Sequence, residues 1–335
     1  MAAGRAGIRG RDDDAQGGDG PMTPMTPADP ATPTTPADPT TPADPTDPLI
    51  PTRLVVHALV REDGTVDGAE LYEVAGALGM TDQQVRLCVK RLVAEGRFTL
   101  EGRGRRSLLR LAGAAGPGLP AMPEVDFVRH AYRQDRGLEP WDGVWRLFAF
   151  AVPESARTAR DALRDTLTGL GAAPLQGGLY VTPNAIAPYV RGAADSLGVS
   201  SALTCLTSRD LDAGGTTDPA ALAARLWPLP RIAARYAAVS RLAEAVLPAP
   251  GEPAGPAERA RPGTETESPA SRAIALAAAF SEAMLPDPLL PPELLPRPWP
   301  ATAARARAAA AWEHLRATAP GNGPRLFRLY AEAVR

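Results

Sequence analysis

Between Gln83 and Arg110 the chain carries eight basic side chains, Arg86, Lys90, Arg91, Arg97, Arg103, Arg105, Arg106 and Arg110, against Glu95 and Glu101, a local net charge of +6. Cations at that density bind phosphates, and such binding weakens steeply with salt. Gln83, Gln84 and Arg86 add groups that can hydrogen-bond base edges in a major groove, whereas Lys90 and the arginines Arg103, Arg105 and Arg106 suit phosphate oxygens. No other chemistry has comparable support. Cys88 and Cys205 are too few for a disulfide framework or a tetrahedral zinc site, and His57, His130 and His314 lie in no nucleophile motif. The Gly102–Gly104 stretch lacks the flanking strand, helix and Gly-Lys-Ser/Thr ending of a nucleotide loop. No cofactor and no metal is expected.

The elements that must position these residues follow from spacing. Thr52 is read as the cap of a first helix bearing Leu54, Val55, Ala58 and Leu59, which ends at Glu62-Asp63-Gly64. A second helix runs from Gly68 to Leu78 and is closed by Gly79. Thr81 caps a third, ending at Glu95 before Gly96, in which Val85, Cys88, Val89, Leu92 and Val93 share one stripe. The opposite face holds Gln83, Gln84, Arg86, Lys90 and Arg91, together with Leu87, which is expected to pack on the second helix. Phe98–Glu101 and Ser107–Leu111 then flank a Gly102-Arg103-Gly104-Arg105-Arg106 tip as a hairpin. Three helices and a basic hairpin make a winged helix over residues 52–113. Its candidate DNA-binding set is Thr81, Gln83, Gln84, Arg86, Lys90, Arg91, Arg103, Arg105, Arg106 and Ser107.

The whole chain does not share this charge. Its 335 residues hold 36 basic and 38 acidic side chains, net −2, which excludes a uniformly basic nucleic-acid coat. Of the basic residues only Lys90 is lysine. From Pro21 to Pro51 every third residue is proline, so residues 1–50 are expected to form a semi-extended polyproline tail with three Arg against eight Asp. The N-terminus offers Gly, Arg and Asp where a signal peptide needs an apolar run, and no run approaches the ~18 residues of a membrane span. A cytoplasmic protein without a membrane partner is expected.

Further along, Trp145–Val152 reads as a strand, Ser155–Gly169 as an amphipathic helix with Ala159, Leu163 and Leu167 on one side, and Ala173–Leu175 and Gly178–Val181 as strands about a Gly177-Gly178 turn. Pro183 is read as starting a helix towards Gly198, and Ser201–Thr207 as the last strand. This β-α-β-β-α-β order is the ferredoxin-like unit, assigned to residues 124–212, and its small sheet suggests a homodimer. Residues 218–335 are expected to be mostly helical, with a flexible insert over 248–270. Helices from Arg272 to Met284 and from Ala301 to Arg316 are alanine-rich, and Trp299 is expected to pack on Trp312. The fold class is therefore α+β.

Several strings carry a resemblance. Trp141-Asp-Gly-Val-Trp145, Pro153-Glu154, Arg157, Arg160, Leu163-Arg164, Leu170-Gly171 and Gly178-Leu-Tyr-Val-Thr-Pro183 resemble the central domain of PaaX-type transcriptional repressors. Val85–Gly96 with Gly104-Arg-Arg-Ser107, then Leu226-Trp-Pro-Leu229, Ile232-Ala233 and Tyr236, and finally Leu289–Pro300 resemble that family's flanking segments. Trp227-Pro228-Leu229 and Leu109 depart from its pattern, where Trp-Asp-Leu and an aromatic are commoner.

The resemblance implies a dimeric repressor of a catabolic operon on a palindromic double-stranded operator. It implies a Cas2-like central domain and release by an aromatic acyl-CoA thioester such as phenylacetyl-CoA. Arg129, Arg133, Arg136, Arg157 and Arg160 are arginines that could meet such an anion, but arginine is the default cation of this chain and a plain solvated face is the favoured reading of them. The Cas2 likeness also raises a metal-dependent nuclease. That reading wants a carboxylate at the end of the first strand, where the chain has Val152-Pro153 and then Glu154. A third reading makes the winged helix a protein-docking module without DNA binding, against which the basic hairpin argues.

Overall fold

The computed structural model describes residues 50–112, 125–248, 268–319 and 321–335. The proline-repeat tail up to Leu49 and residues 249–267 of the expected insert lie outside the described residues.

The N-terminal unit is α1 (Thr52–Ala58), β1 (Thr65–Asp67), α2 (Gly68–Ala77), α3 (Asp82–Ala94), β2 (Phe98–Glu101) and β3 (Leu108–Leu111). Pro51, not Thr52, occupies the cap position of α1. Its extended backbone turns the chain into the helix and its carbonyl accepts the Leu54 N–H at 2.8 Å, without any side-chain cap. The strand β1 was not expected, and it completes a three-stranded antiparallel sheet of order β1-β3-β2. Asp67 closes that strand and caps α2 by accepting the Glu70 N–H at 3.0 Å. The apolar stripes of the three helices meet the sheet in a core of Val55, Leu59, Leu71, Val85, Leu92, Phe98 and Leu109.

His57 is buried in that core, its ring edge-on to Phe98 at 5.2 Å, and its Nε2 has no partner. Burial, reinforced by the charges of Arg53, Arg325 and Arg97, pushes the imidazole down to about 4 from its ordinary 6.5. The unfolded chain therefore takes a proton at His57 before the folded one does. Its contribution is intact above pH 6.5, declines as the pH falls towards 4 and is flat below. The difference is up to about 3 kcal/mol. In denaturant melts across this range, His57→Leu should lose that part of the pH dependence; a variant profile parallel to the wild type would contradict the assignment.

After α4 (Val125–Asp135) come β4 (Trp145–Phe150), α5 (Arg157–Gly169), β5 (Ala173–Gln176), β6 (Leu179–Thr182), α6 (Ala187–Ser196) and β7 (Leu203–Ser208). The sheet is antiparallel throughout, in the order β5-β6-β4-β7, so the expected β-α-β-β-α-β unit is realised with β4 at its centre. Phe148 and Tyr180 on one face are buried with Leu163 and Leu167 of α5 and Val190 and Ala194 of α6. Trp145, Leu147 and Val181 on the other face join the main core, where Trp145 stacks on Trp227. The helix read from Pro183 begins instead at Ala187. Asn184 holds the intervening link by donating its side-chain N–H to the carbonyls of Pro288 and Leu289 at 2.7 and 3.2 Å.

The remainder is helical: α7 (Pro219–Leu226), α8 (Leu229–Val246), α9 (Pro269–Met284), α10 (Pro300–Thr318) and α11 (Arg325–Ala333). Alanines 273, 277, 304, 308 and 311 are buried, which lets α8, α9 and α10 pack closely. Trp312 stacks on Tyr330 at 4.3 Å rather than on Trp299, because α11 returns across α10 and presents that ring to it. One continuous buried cluster joins the N-terminal unit, the outer sheet face and these helices. At its centre the buried Arg305 donates to both carboxylate oxygens of Asp135, at 2.6 and 2.8 Å, and to the Tyr236 hydroxyl at 3.1 Å. Tyr236 in turn donates to Asp287 at 2.6 Å. Among the described residues, no helix is long and apolar enough to cross a membrane.

Candidate nucleic-acid interface

The start of α3 is fixed by a reciprocal cap. Thr81 Oγ1 accepts the Gln84 N–H at 3.3 Å, while Gln84 Oε1 accepts the Thr81 N–H at 2.8 Å and its hydroxyl at 3.0 Å. Both side chains therefore serve the helix, and Gln84 keeps only its amide N–H groups for a ligand. Val85, Val89 and Leu92 are buried; Gln83, Gln84, Arg86, Lys90 and Arg91 are exposed along the opposite face. Leu87 does not pack on the second helix but is 46% exposed. It lies about 200° around the helix from both Val85 and Val89, off the buried stripe. Cys88 is half-buried, and burial pushes its thiol pKa up, away from reactive thiolate chemistry.

A groove of about 400 Å³ between α1 and α3 is lined by Thr52, Arg53, Gln84, Leu87, Cys88 and Arg91. Its far end is tied by Arg53, which donates to both oxygens of Glu95 at 3.1 and 2.7 Å. That hydrogen-bonded guanidinium holds the Glu95 carboxyl below its usual range.

The β2–β3 hairpin carries the second group of cations. Gly102 turns it in the left-handed region, at φ +78°, where an added Cβ would lie 2.6 Å from the Arg106 carbonyl. Arg103 and Arg106 are exposed at the tip. Arg105 folds back, its guanidinium 5.7 Å from the centre of the Tyr72 ring and 3.8 Å from Asp82, which links the hairpin to α2 and to the first turn of α3. Arg110 pairs with Glu101 at 3.2 Å. Ser107 is buried and turned inward. Its hydroxyl donates to the Gly104 carbonyl at 2.6 Å, and its own carbonyl accepts the Gly68 N–H at 2.8 Å, so it anchors the hairpin base instead of facing solvent.

Gly68 is the counterpart of that anchor. A Cβ there would sit 2.5 Å from Ser107 Oγ and 2.7 and 2.8 Å from the Ser107 and Gly104 carbonyl oxygens. Gly68→Ala should therefore displace the hairpin at a cost of about 1–3 kcal/mol. Thermal melts check this; an unchanged midpoint would mean that the hairpin is not seated on α2.

Among the described residues, Arg86, Lys90, Arg91, Arg97, Arg103 and Arg106 have no carboxylate partner. The structure thus brings two exposed glutamines and five of these cations onto one helix face and one hairpin tip, with Arg97 between them. Such an arrangement can hold a polyanion. Sequence reasoning missed the Tyr72–Arg105 and Gly68–Ser107 contacts, for which the only signal was a glycine opening a helix.

The arginines considered for an anionic effector are engaged inside the protein. Arg129 pairs with Asp126 at 2.9 Å, Arg133 with Glu139 at 2.5 Å, Arg160 with Glu154 at 2.7 Å and Arg157 with Asp161 at 3.7 Å. Arg136 donates to the Val334 and Arg335 carbonyls, each at 3.0 Å, and His130 contacts Glu139. They do not converge. Among the described residues, no group of three or more His, Cys, Asp and Glu side chains is placed to hold a metal ion.

The antiparallel four-stranded sheet with two helices on one face defines a Cas2-like domain. Residues 138–223 match the family model described as the PaaX protein central Cas2-like domain. The N-terminal unit and most of the C-terminal helices lie outside that match. No curated protein matches the chain. Among solved structures it is similar to the uncharacterized protein Rv0674 from Mycobacterium tuberculosis, at 22% identity over 79% of this chain and 95% of that one, with a TM-score of 0.44.

Proposed function

We propose that the chain is a DNA-binding transcriptional regulator, not an enzyme, acting as a homodimeric repressor whose N-terminal unit is a winged helix. The observation that carries this reading is the row of unpartnered cations on α3 and the hairpin beside Gln83 and Gln84. In this account Gln83 and Arg86 face base edges in a major groove, the amide of Gln84 assists, and Lys90, Arg91, Arg103 and Arg106 neutralise phosphates. Thr81, Arg105 and Ser107 position the helix and the hairpin. The domain division at 52–113, 124–212 and 218–335 belongs to the same proposal.

The PaaX central domain supports regulation of a catabolic operon, with phenylacetic acid breakdown as the family's pattern. Two half-sites of a palindrome would then be read by two copies of the winged helix. An acyl-CoA thioester would release the operator by preferring a conformation with a different spacing of the two units. Footprinting on the DNA upstream of the gene tests the reading. Two protected half-sites about one or two helical turns apart are expected; protection without half-sites, or none, would contradict it.

A further inference from the structure

A second concave site lies between the central sheet domain and the C-terminal helices. Its cavity is about 280 Å³, close to the lower end of the ~300–1,000 Å³ usual for organic ligands. The turn from α5 to β5, the junction between α7 and α8, and the segment after α9 supply its walls. The lining is mostly apolar, with Trp227, Ile232 and four prolines, and among the described residues no acidic side chain contributes to it. Among the described residues its only charged side chains are Arg231 and Arg235, one turn apart on α8.

Neither arginine has a carboxylate or carbonyl partner among the described residues, unlike Arg146, Arg160, Arg305 and Arg328, each paired with an acid at 2.5–2.9 Å. Two guanidiniums over an apolar, acid-free floor attract an anion and offer it forked hydrogen bonds, while the floor takes an uncharged body.

The walls are held in place. Trp227 Nε1 donates to the Gly171 carbonyl at 3.0 Å, and a Cβ at Gly171 would come within 2.7 Å of Pro288 Cα. Pro288 is followed by Leu289 in the left-handed region at φ +49°, a conformation costly for leucine and kept only where the surroundings enforce it. The enforcing contacts are the Asn184 bonds to the 288 and 289 carbonyls and the bond from the Leu289 N–H to Asp287 Oδ1 at 2.9 Å. Such a rigid wall keeps a pocket open with no ligand in it.

We infer that this cavity is a binding site for a small organic anion, a carboxylate or phosphate ester held by Arg231 and Arg235 with its apolar part on the floor at Trp227. The site is independent of the DNA reading, and its test uses no DNA. Calorimetric titration of the full chain with phenyl phosphate is compared with inorganic phosphate and with uncharged benzyl alcohol, and repeated on Arg231→Gln/Arg235→Gln. Arg231 is exposed and Arg235 half-buried, and neither pairs with an acid among the described residues, so this variant should melt as the wild type does. The expected result is saturable binding of phenyl phosphate, at least about tenfold weaker for each control ligand and for the double variant, with a thermal shift that tracks occupancy. Absence of saturation at millimolar phenyl phosphate, equal binding of benzyl alcohol, or undiminished binding by the folded double variant would each overturn the assignment.

Discussion

Replacing Arg305 with alanine is expected to destabilise the chain by about 3–5 kcal/mol, the largest effect of any single change considered. Arg305 is 4% exposed and faces two carboxylates, Asp135 on α4 and Asp287 after α9, the latter at 3.5 Å. Burial alone would lower the guanidinium pKa. The hydrogen bonds to Asp135 and the negative charges of Asp135 and Asp287 outweigh burial and raise it, so the residue stays charged. Removing it leaves two buried acids without their cation, together with the void of a long side chain. The cluster ties α4, α8, α10 and the wall segment at Asp287 together, so the loss should appear as one cooperative shift of the melt, on the order of 10 °C. A single variant that melts like the wild type would show the cluster to be dispensable.

Arg86→Ala/Lys90→Ala should weaken binding to an operator duplex by at least about 30-fold, since each of the two side chains lost from a base or phosphate is worth roughly 1–3 kcal/mol. The slope of log affinity against log salt should fall by about 0.9 for each phosphate contact removed. Both residues are exposed and carry no partner among the described residues, so the melting curve should not move. That pairing of outcomes separates a contact role from a folding role. Affinity unchanged by the double substitution would remove α3 from the interface.

Much of this was legible before any coordinates. Thr81 and Gly96 are start and stop signals that a helix of this kind needs, and its stripe lands where the 3.6-residue period puts it. The β-α-β-β-α-β order was readable because glycine or proline lies near the ends of its first three strands. What escaped has physical reasons. The strand β1 is three residues long, too short to show alternation. Ser107 sits in a polar, arginine-rich string that reads as surface, and only its contact with Gly68 reveals that it points inward. Arg305 lies in an alanine-rich helix among other arginines, and its partner Asp135 is 170 residues away in the chain. Leu87 falls off the buried stripe by its angle, and only its residue type suggested packing on the second helix, where it is instead exposed.

The central claim is that α3 and the hairpin hold DNA selectively. The most direct measurement is fluorescence anisotropy of the full chain with its own upstream duplex and a scrambled duplex, over a salt series and then with a panel of acyl-CoA thioesters. The account expects saturable binding that prefers the upstream sequence, falls steeply with salt and is released by one thioester. Selective binding that no thioester releases would keep the regulator and remove that effector. Equal binding to both duplexes, or none at low salt, would contradict the central claim.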